Sequence, residues 1–367
     1  LCKALKEKIP GCTIFFSTNN LETYRFAKNC AHKEVDFIFD TPWDTSPAVK
    51  RAIKAVNPKA LIFIENCLYP AFARAAQKAG VITIIASAFM NTSFYEHPAM
   101  ARSFAFSFHR FIEYVLAKST RDRDAFIALG VPPERVIAMG TLKYDFSCAN
   151  MTEDTKTRLR SECGIHKDAL VLTAGSIHTQ EAELLISAFE AIRKKIPVCR
   201  LIIVPRYQQD IPAICDVLQK HAMKGILKSS LPGNTSDAQA VLIVDSFGEL
   251  MGLYALADIT IVGGSFALIN RGGLGHNIIE PLIQRKPVLF GPYMNRWREI
   301  TSVLLEAHPH LEARNAPDLA EAVIELLENK KLYQDVILTQ NRFIEENKNN
   351  IEKYTDFLST LLNPIRP

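Results

Sequence analysis

Short apolar runs rich in β-branched residues recur along this chain, and each is followed by a stretch with helical spacing. The runs at 60–64, 82–86, 170–174, 200–204 and 259–262 are nearly continuous in apolar character, as strands buried on both faces are. Runs at 12–16, 35–39, 136–140, 240–244 and 287–290 extend the series. Between them, 46–56, 71–79 (closed by Gly80) and 181–194 carry the apolar periodicity of amphipathic helices. A strand followed by a helix and another strand gives a parallel sheet, because right-handed crossovers return the chain to the same edge. The alternation therefore predicts an α/β chain with doubly wound parallel sheets.

At 367 residues the chain is long enough for two such cores. It turns polar and helical around 148–156, which places a boundary there. The expected organisation is one domain over 1–147 and a second over 148–335, with 336–367 as helices packing back across the domains. Residues 319–362 read as helical and charged, and 100–118 as one long amphipathic helix bearing Phe104, Phe106, Phe108, Phe111 and Tyr114. That aromatic stripe predicts core packing, with membrane contact as the alternative because Arg102, His109, Arg110 and Lys118 flank it.

Several function classes drop out on composition and motif. A net charge of +4 is too weak to argue for nucleic acid, although it suits anionic substrates or an anionic membrane surface. Eight cysteines without C-x-x-C spacing point to reduced thiols rather than a zinc or redox motif. No run approaches the roughly 20 apolar residues of a membrane span. P-loop, zincin and nucleophile-elbow patterns do not occur. Asp122-Arg123-Asp124 matches a D-x-D metal pattern, but in a helical segment beside Arg121 charge pairing accounts for it, and no metal is expected.

The strand ends carry the chemistry. In open α/β sheets ligands bind at the carboxyl edge. Here that edge receives Gly175-Ser176-Ile177-His178-Thr179, then Pro205-Arg206, then Gly263-Gly264-Ser265-Phe266, and later Gly291-Pro292. Glycines let backbone N–H groups approach a phosphate, a helix start favours one, and arginine grips it with two bonds. Ser176 and Thr179 also suit a structural helix cap. After Gly272, Gly273 and Gly275, the residues His276, Asn277 and Glu280 fall at helical spacing, where Glu280 suits the hydroxyls of a ribose. His276 is open to three readings: general base, phosphate ligand or packing residue. Glu65, at the end of the 60–64 run, is either a cleft carboxylate or a group complementing a helix dipole.

The ordered set Gly140-Thr141-Leu142-Lys143-Tyr144-Asp145, Gly175 to Thr179, Pro205-Arg206, Gly263 to Phe266, Gly275-His276-Asn277 through Glu280-Pro281, and Gly291-Pro292 with Asn295 resembles the 3-deoxy-D-manno-octulosonic acid (Kdo) transferases of lipopolysaccharide synthesis. The likeness runs over essentially the whole chain and is more specific in its second half. It implies a GT-B fold, two Rossmann-like domains facing a cleft. It also implies inverting transfer from CMP-Kdo to a lipid A precursor, with no cofactor and no bound metal, at the cytoplasmic face of the bacterial inner membrane. By the same resemblance Ser176, His178, Arg206, Gly264, Ser265, His276, Asn277 and Glu280 line the donor site, and Glu65 and Asn91 lie on the acceptor side.

The departures cluster on the acceptor side. The family's catalytic glutamate sits in a Ser-Val-Gly-Glu loop ahead of the helix in which this chain begins, so the base, the first strand and an anchor helix are expected upstream of Leu1. The pattern Glu-Thr-Glu-Leu-Trp-Pro becomes Glu65-Asn66-Cys67-Leu68-Tyr69-Pro70, and Asn-Ala-Arg becomes Asn91-Thr92-Ser93. Pro-Arg-His becomes Pro205-Arg206-Tyr207, and Gly-Glu-Glu becomes Gln180-Glu181-Ala182. A homologue or fragment that binds nucleotide without turnover, and another nucleotide-sugar enzyme of the same fold, are the competing readings.

Overall fold

The computed structural model describes residues 1–30, 34–65, 69–90, 109–145, 151–231, 240–269 and 274–362. Asn91, Gly272, Gly273 and positions 100–108 of the expected aromatic helix lie outside the described residues. The chain forms two units, Leu1–Asp145 with Asn347–Pro367, and Phe146–Glu346.

In the first unit β1 (Phe15–Thr18) pairs with β2 (Phe37–Asp40). A four-stranded sheet holds β3 (Ala60–Ile64), β4 (Ile82–Ala88), β5 (Tyr114–Ala117) and β6 (Val136–Ala138) in that order, all parallel. Alternation along β4 shows why both faces are apolar. Ile85 packs with Val49, Phe72 and Val115 on one side, while Ile84 packs with Leu5, Leu116 and Tyr354 on the other. Within the described part of the helix expected over 100–118, the strand β5 replaces its carboxy-terminal turn. Four residues Tyr-Val-Leu-Ala are too few to show a period, and an apolar run of that length fits a buried strand as well as a helix turn.

The second unit is a six-stranded parallel sheet in the order β12-β11-β7-β8-β10-β9. Its strands are β7 (Leu170–Ile177), β8 (Cys199–Pro205), β9 (Gly225–Leu227), β10 (Val241–Ile243), β11 (Ile259–Val262) and β12 (Val288–Phe290). From β7 the chain builds outward through β8 to the β9 edge, then returns to β11 and β12 on the other side of β7. The carboxyl ends of β7 and β11 therefore flank the topological switch point, where a crevice opens in such sheets. The charged carboxy-terminal stretch is three helices, Ala316–Glu328, Lys330–Asn347 and Asn350–Leu362. Among the described residues no helix is long and apolar enough to cross a membrane.

The helix Thr179–Lys195, which leaves the switch point, is clamped to its neighbour Ile211–Lys220 by His221. The His221 ring bonds Glu183 at 2.9 Å and Glu190 at 3.0 Å. Glu183 first and Glu190 second raise the imidazole above its ordinary 6.5. Lys194 and then His221 depress the Glu190 carboxyl to about 2. A raised cation gives its full stabilisation below its unfolded pKa and loses it as pH rises through the folded one. The depressed carboxylate behaves oppositely, losing its contribution as pH falls toward about 2. The clamp is therefore strongest between the ordinary values of 4.5 and 6.5. Melting curves of wild type and His221→Gln should differ most in that window and converge above it; a pH-independent gap would refute the charge account.

Candidate functional site

The loop after β11 places Gly264, Ser265 and Phe266 with their N–H groups converging on one point. That point is filled by the Glu181 carboxylate, which accepts from Gly264 N at 2.8 Å, Ser265 N at 3.0 Å, Phe266 N at 2.9 Å and His178 N at 3.1 Å. Glu181 is 1% exposed, at the third position of the helix opened by His178. The glycine loop thus binds an anion as its sequence suggested, but the anion belongs to the chain itself and no phosphate is needed there. Ser265 is spent likewise: its hydroxyl donates to Val262 O at 2.5 Å and accepts from Gly291 N at 2.8 Å, fully buried. Ser265 holds the loop together and presents no free hydroxyl to a ligand.

With the loop anchored, two imidazoles meet above it. His178 Nε2 and His276 Nε2 lie 2.7 Å apart, with ring centroids 5.0 Å apart and planes at 16°. Gly264, at φ +68°, makes room for this: a Cβ there would stand 2.5 Å from His276 Cδ2. Burial first, then the Arg206 and His178 charges, push His276 down to about 4. Burial is also the leading cause of the lowered His178 pKa, opposed by Glu181 and Asp210 and assisted by Arg206. Both rings are therefore neutral at pH 7. Arg206 reaches this edge because its backbone N–H donates to Ile177 O at 2.8 Å, extending the β7–β8 pairing. Its exposed guanidinium lies 5.3 Å from the Tyr207 ring, and Tyr207 in turn stands edge-on to His178 at 5.7 Å.

The remaining donor-side residues divide. Ser176 sits half-buried at the bulge where β7 leaves β8, in the left-handed region at φ +59°. Its carbonyl packs so closely on Gly263 that no side chain fits at 263. Asn277 Nδ2 donates to Glu280 Oε1 at 2.9 Å, and its Oδ1 accepts from Ile279 N at 3.1 Å. The helix here is only Ile279–Ile283, so His276 and Asn277 precede it rather than sharing a helical face with Glu280. Helical spacing does not explain their gathering; the Asn277 side chain does, by folding the turn that carries them.

In the first unit Glu65 takes a left-handed turn at the end of β3, φ +60°, and pairs with Lys143. The 140–145 loop is braced by the carboxy-terminal helix. Buried Tyr354 accepts from Ser87 N at 2.9 Å and donates to Gly140 O at 3.0 Å, while Asn350 Nδ2 donates to Thr141 O at 3.0 Å. Ser119 caps the helix that carries Asp122, its hydroxyl accepting from Asp122 N and donating to the Asp122 carboxylate. That carboxylate also accepts from Met90 N at 2.7 Å, so Asp122 has a structural place, while Arg123 pairs with Asp124. Sequence reasoning missed Glu181 and Lys143 as site groups. Glu181 had a signal, the capping-box spacing of three residues after His178; Lys143 had none beyond its place in the Gly140–Asp145 motif.

A family model described as 3-deoxy-D-manno-octulosonic-acid transferase (kdotransferase) matches residues 1–146. A 3-deoxy-D-manno-octulosonic acid transferase of Aquifex aeolicus is 30% identical over 296 residues, covering 81% of this chain and 73% of the relative. One from Haemophilus influenzae is 27% identical over 366 residues, 99% of this chain and 83% of the relative. The chain spans 46% of a Fusobacterium nucleatum bifunctional glycosyltransferase/methyltransferase, at 28% identity over 308 residues and 84% of its own length. Among solved structures, Anabaena HepE in complex with UDP superposes with a TM-score of 0.64 over 98% of this chain and 94% of its own, at 14% identity. The two parallel-sheet α/β units are of the GT-B fold class.

Proposed function

Because the chain belongs to the 3-deoxy-D-manno-octulosonic acid transferase family of glycosyltransferases, we propose that it takes Kdo from CMP-Kdo and delivers it to a lipid A precursor. The observation that carries the donor half is the cluster at the switch point: a neutral imidazole pair beside the Arg206 guanidinium. The leaving phosphate gains charge as the glycosidic bond breaks, and a guanidinium held at a sheet edge stabilises that charge without reorganising. In this reading His178, Arg206 and His276 receive the anionic part of the donor. Asn277 and Glu280 take its ribose, and Gly264, Ser265 and Ser176 shape the floor.

On the acceptor side we place Glu65 and Asn91. Transfer proceeds with inversion and without a bound metal or other cofactor, at the cytoplasmic face of the inner membrane. Calorimetric titration with CMP and UDP tests the donor: CMP should bind at least tenfold tighter, and preference for UDP would refute CMP-Kdo. Kdo transfer by the protein to a lipid A precursor tests the reaction; nucleotide binding without transfer would leave a binding protein. Glu280→Ala should weaken CMP binding by about 1–3 kcal/mol, since Asn277 also loses its partner. Unchanged affinity would remove Glu280 from the ribose site.

A further inference from the structure

Two Nε2 atoms 2.7 Å apart hold one proton between them, because two N–H groups would repel and so would two lone pairs. The couple therefore comprises one ring donating through Nε2 and one accepting; the donating ring carries no proton on Nδ1, and on His178 that Nδ1 accepts from the Glu181 backbone N–H in the capping box. Everything packed around it bears on its charge. Arg206 and Arg296 oppose a further proton. Glu181 and Asp210 favour one on His178, but Glu181 is already bonded by four N–H groups and Asp210 accepts from Thr179 at 3.0 Å. Tyr207 contributes only its ring edge. An anion lodged against Arg206 would cancel the opposing field and shift the balance toward the charged couple.

We propose that the His178–His276 couple is the anion seat of the donor pocket, and that it takes up one proton when a phosphate or carboxylate of the nucleotide sugar lodges against it and Arg206. The inference rests on the donor reading above. The proton comes from solvent and goes to Nδ1 of the ring that donates through Nε2; on His178 it displaces the Glu181 N–H, which keeps the His178 carbonyl as its acceptor at 3.0 Å. The Nε2–H···Nε2 bond survives and becomes charge-assisted, and the imidazolium faces the bound anion. Binding is then tighter at lower pH, because a ligand that brings a proton with it is favoured as protons become abundant.

Calorimetric titration with CMP at pH 6.5, in buffers of low and high ionisation enthalpy, counts the protons. Arg206 gripping the CMP phosphate lowers the phosphate's second ionisation, ordinarily near 6, and thereby releases protons in every variant, so the difference between proteins reports the couple. Wild type should take up roughly half a proton or more in excess of His178→Asn and His276→Asn, and should gain about three- to tenfold in relative affinity from pH 7.5 to 6.0. The methyl diester of CMP, whose phosphate has no ionisation near neutral pH, gives the count on wild type alone and so stands even if the variants misfold. Equal proton numbers in all three proteins, or no uptake with the diester, overturn the proposal.

UDP and inorganic pyrophosphate separate this inference from the donor reading. Proton uptake with either probe, in the absence of CMP binding, keeps the seat and overturns CMP as the donor nucleotide. CMP binding without uptake keeps the donor and overturns the seat. Failure of all three probes to bind overturns both.

Discussion

Glu181→Ala should lower the stability of the Phe146–Glu346 unit by about 3–5 kcal/mol, more than an exposed surface carboxylate could. The carboxylate is 1% exposed and satisfies four backbone N–H groups, those of His178, Gly264, Ser265 and Phe266. A buried donor left without a partner costs about 1–3 kcal/mol, and water entering the vacated volume recovers part of the sum. Glu181→Gln is the sharper variant. It conserves volume, yet its amide NH2 faces N–H donors, so it should cost nearly as much as alanine. Trp297 is 5% exposed and, in a Trp43→Phe background, is the only tryptophan left to report unfolding of this unit. Urea unfolding read there gives the stability, and amide exchange at Gly264, Ser265 and Phe266 gives the local opening. A glutamine variant as stable as wild type would show that the nest does not need the charge.

The same carboxylate shows how far the sequence could be read. The alternation of apolar runs and helices was legible because strands buried on both faces have a composition that local reasoning sees. Tyr114–Ala117 was lost to an aromatic stripe whose neighbours suggested a helix, and Gly225–Leu227, an edge strand opening on glycine, carries no pattern at all. The strand-edge rule gathered His178, Arg206 and His276 to one end of one sheet, and there they are. What it could not supply was the partner of each group. Glu181 lies 83 residues from Gly264 and His178 lies 98 from His276, so both contacts exist only once β11 has paired beside β7. An amide nest read from glycines alone says that an anion sits there, but not whose.

Gly264→Ala should cost the largest share of donor binding, about 10- to 100-fold in CMP affinity, or roughly 1.4–2.8 kcal/mol. Two effects combine at this residue. Its φ of +68° is a left-handed conformation in which an L side chain costs about 1–2 kcal/mol. Its added Cβ would also stand 2.5 Å from His276 Cδ2 and 2.8 Å from Nε2, so the ring must swing away from His178. The imidazole is half-buried and can move, which directs the damage to the couple and the anion seat rather than to folding. Gly80→Ala separates the two effects, since Gly80 has φ +74° with nothing within 4 Å of an added Cβ. It should lose a similar increment of stability and leave CMP affinity and the proton count at wild-type values. If Gly264→Ala binds CMP as tightly as wild type with the same proton uptake, the position of His276 against His178 does not matter to the ligand. A loss of affinity with the count unchanged would mean that the glycine serves the pocket's shape and not the shared proton.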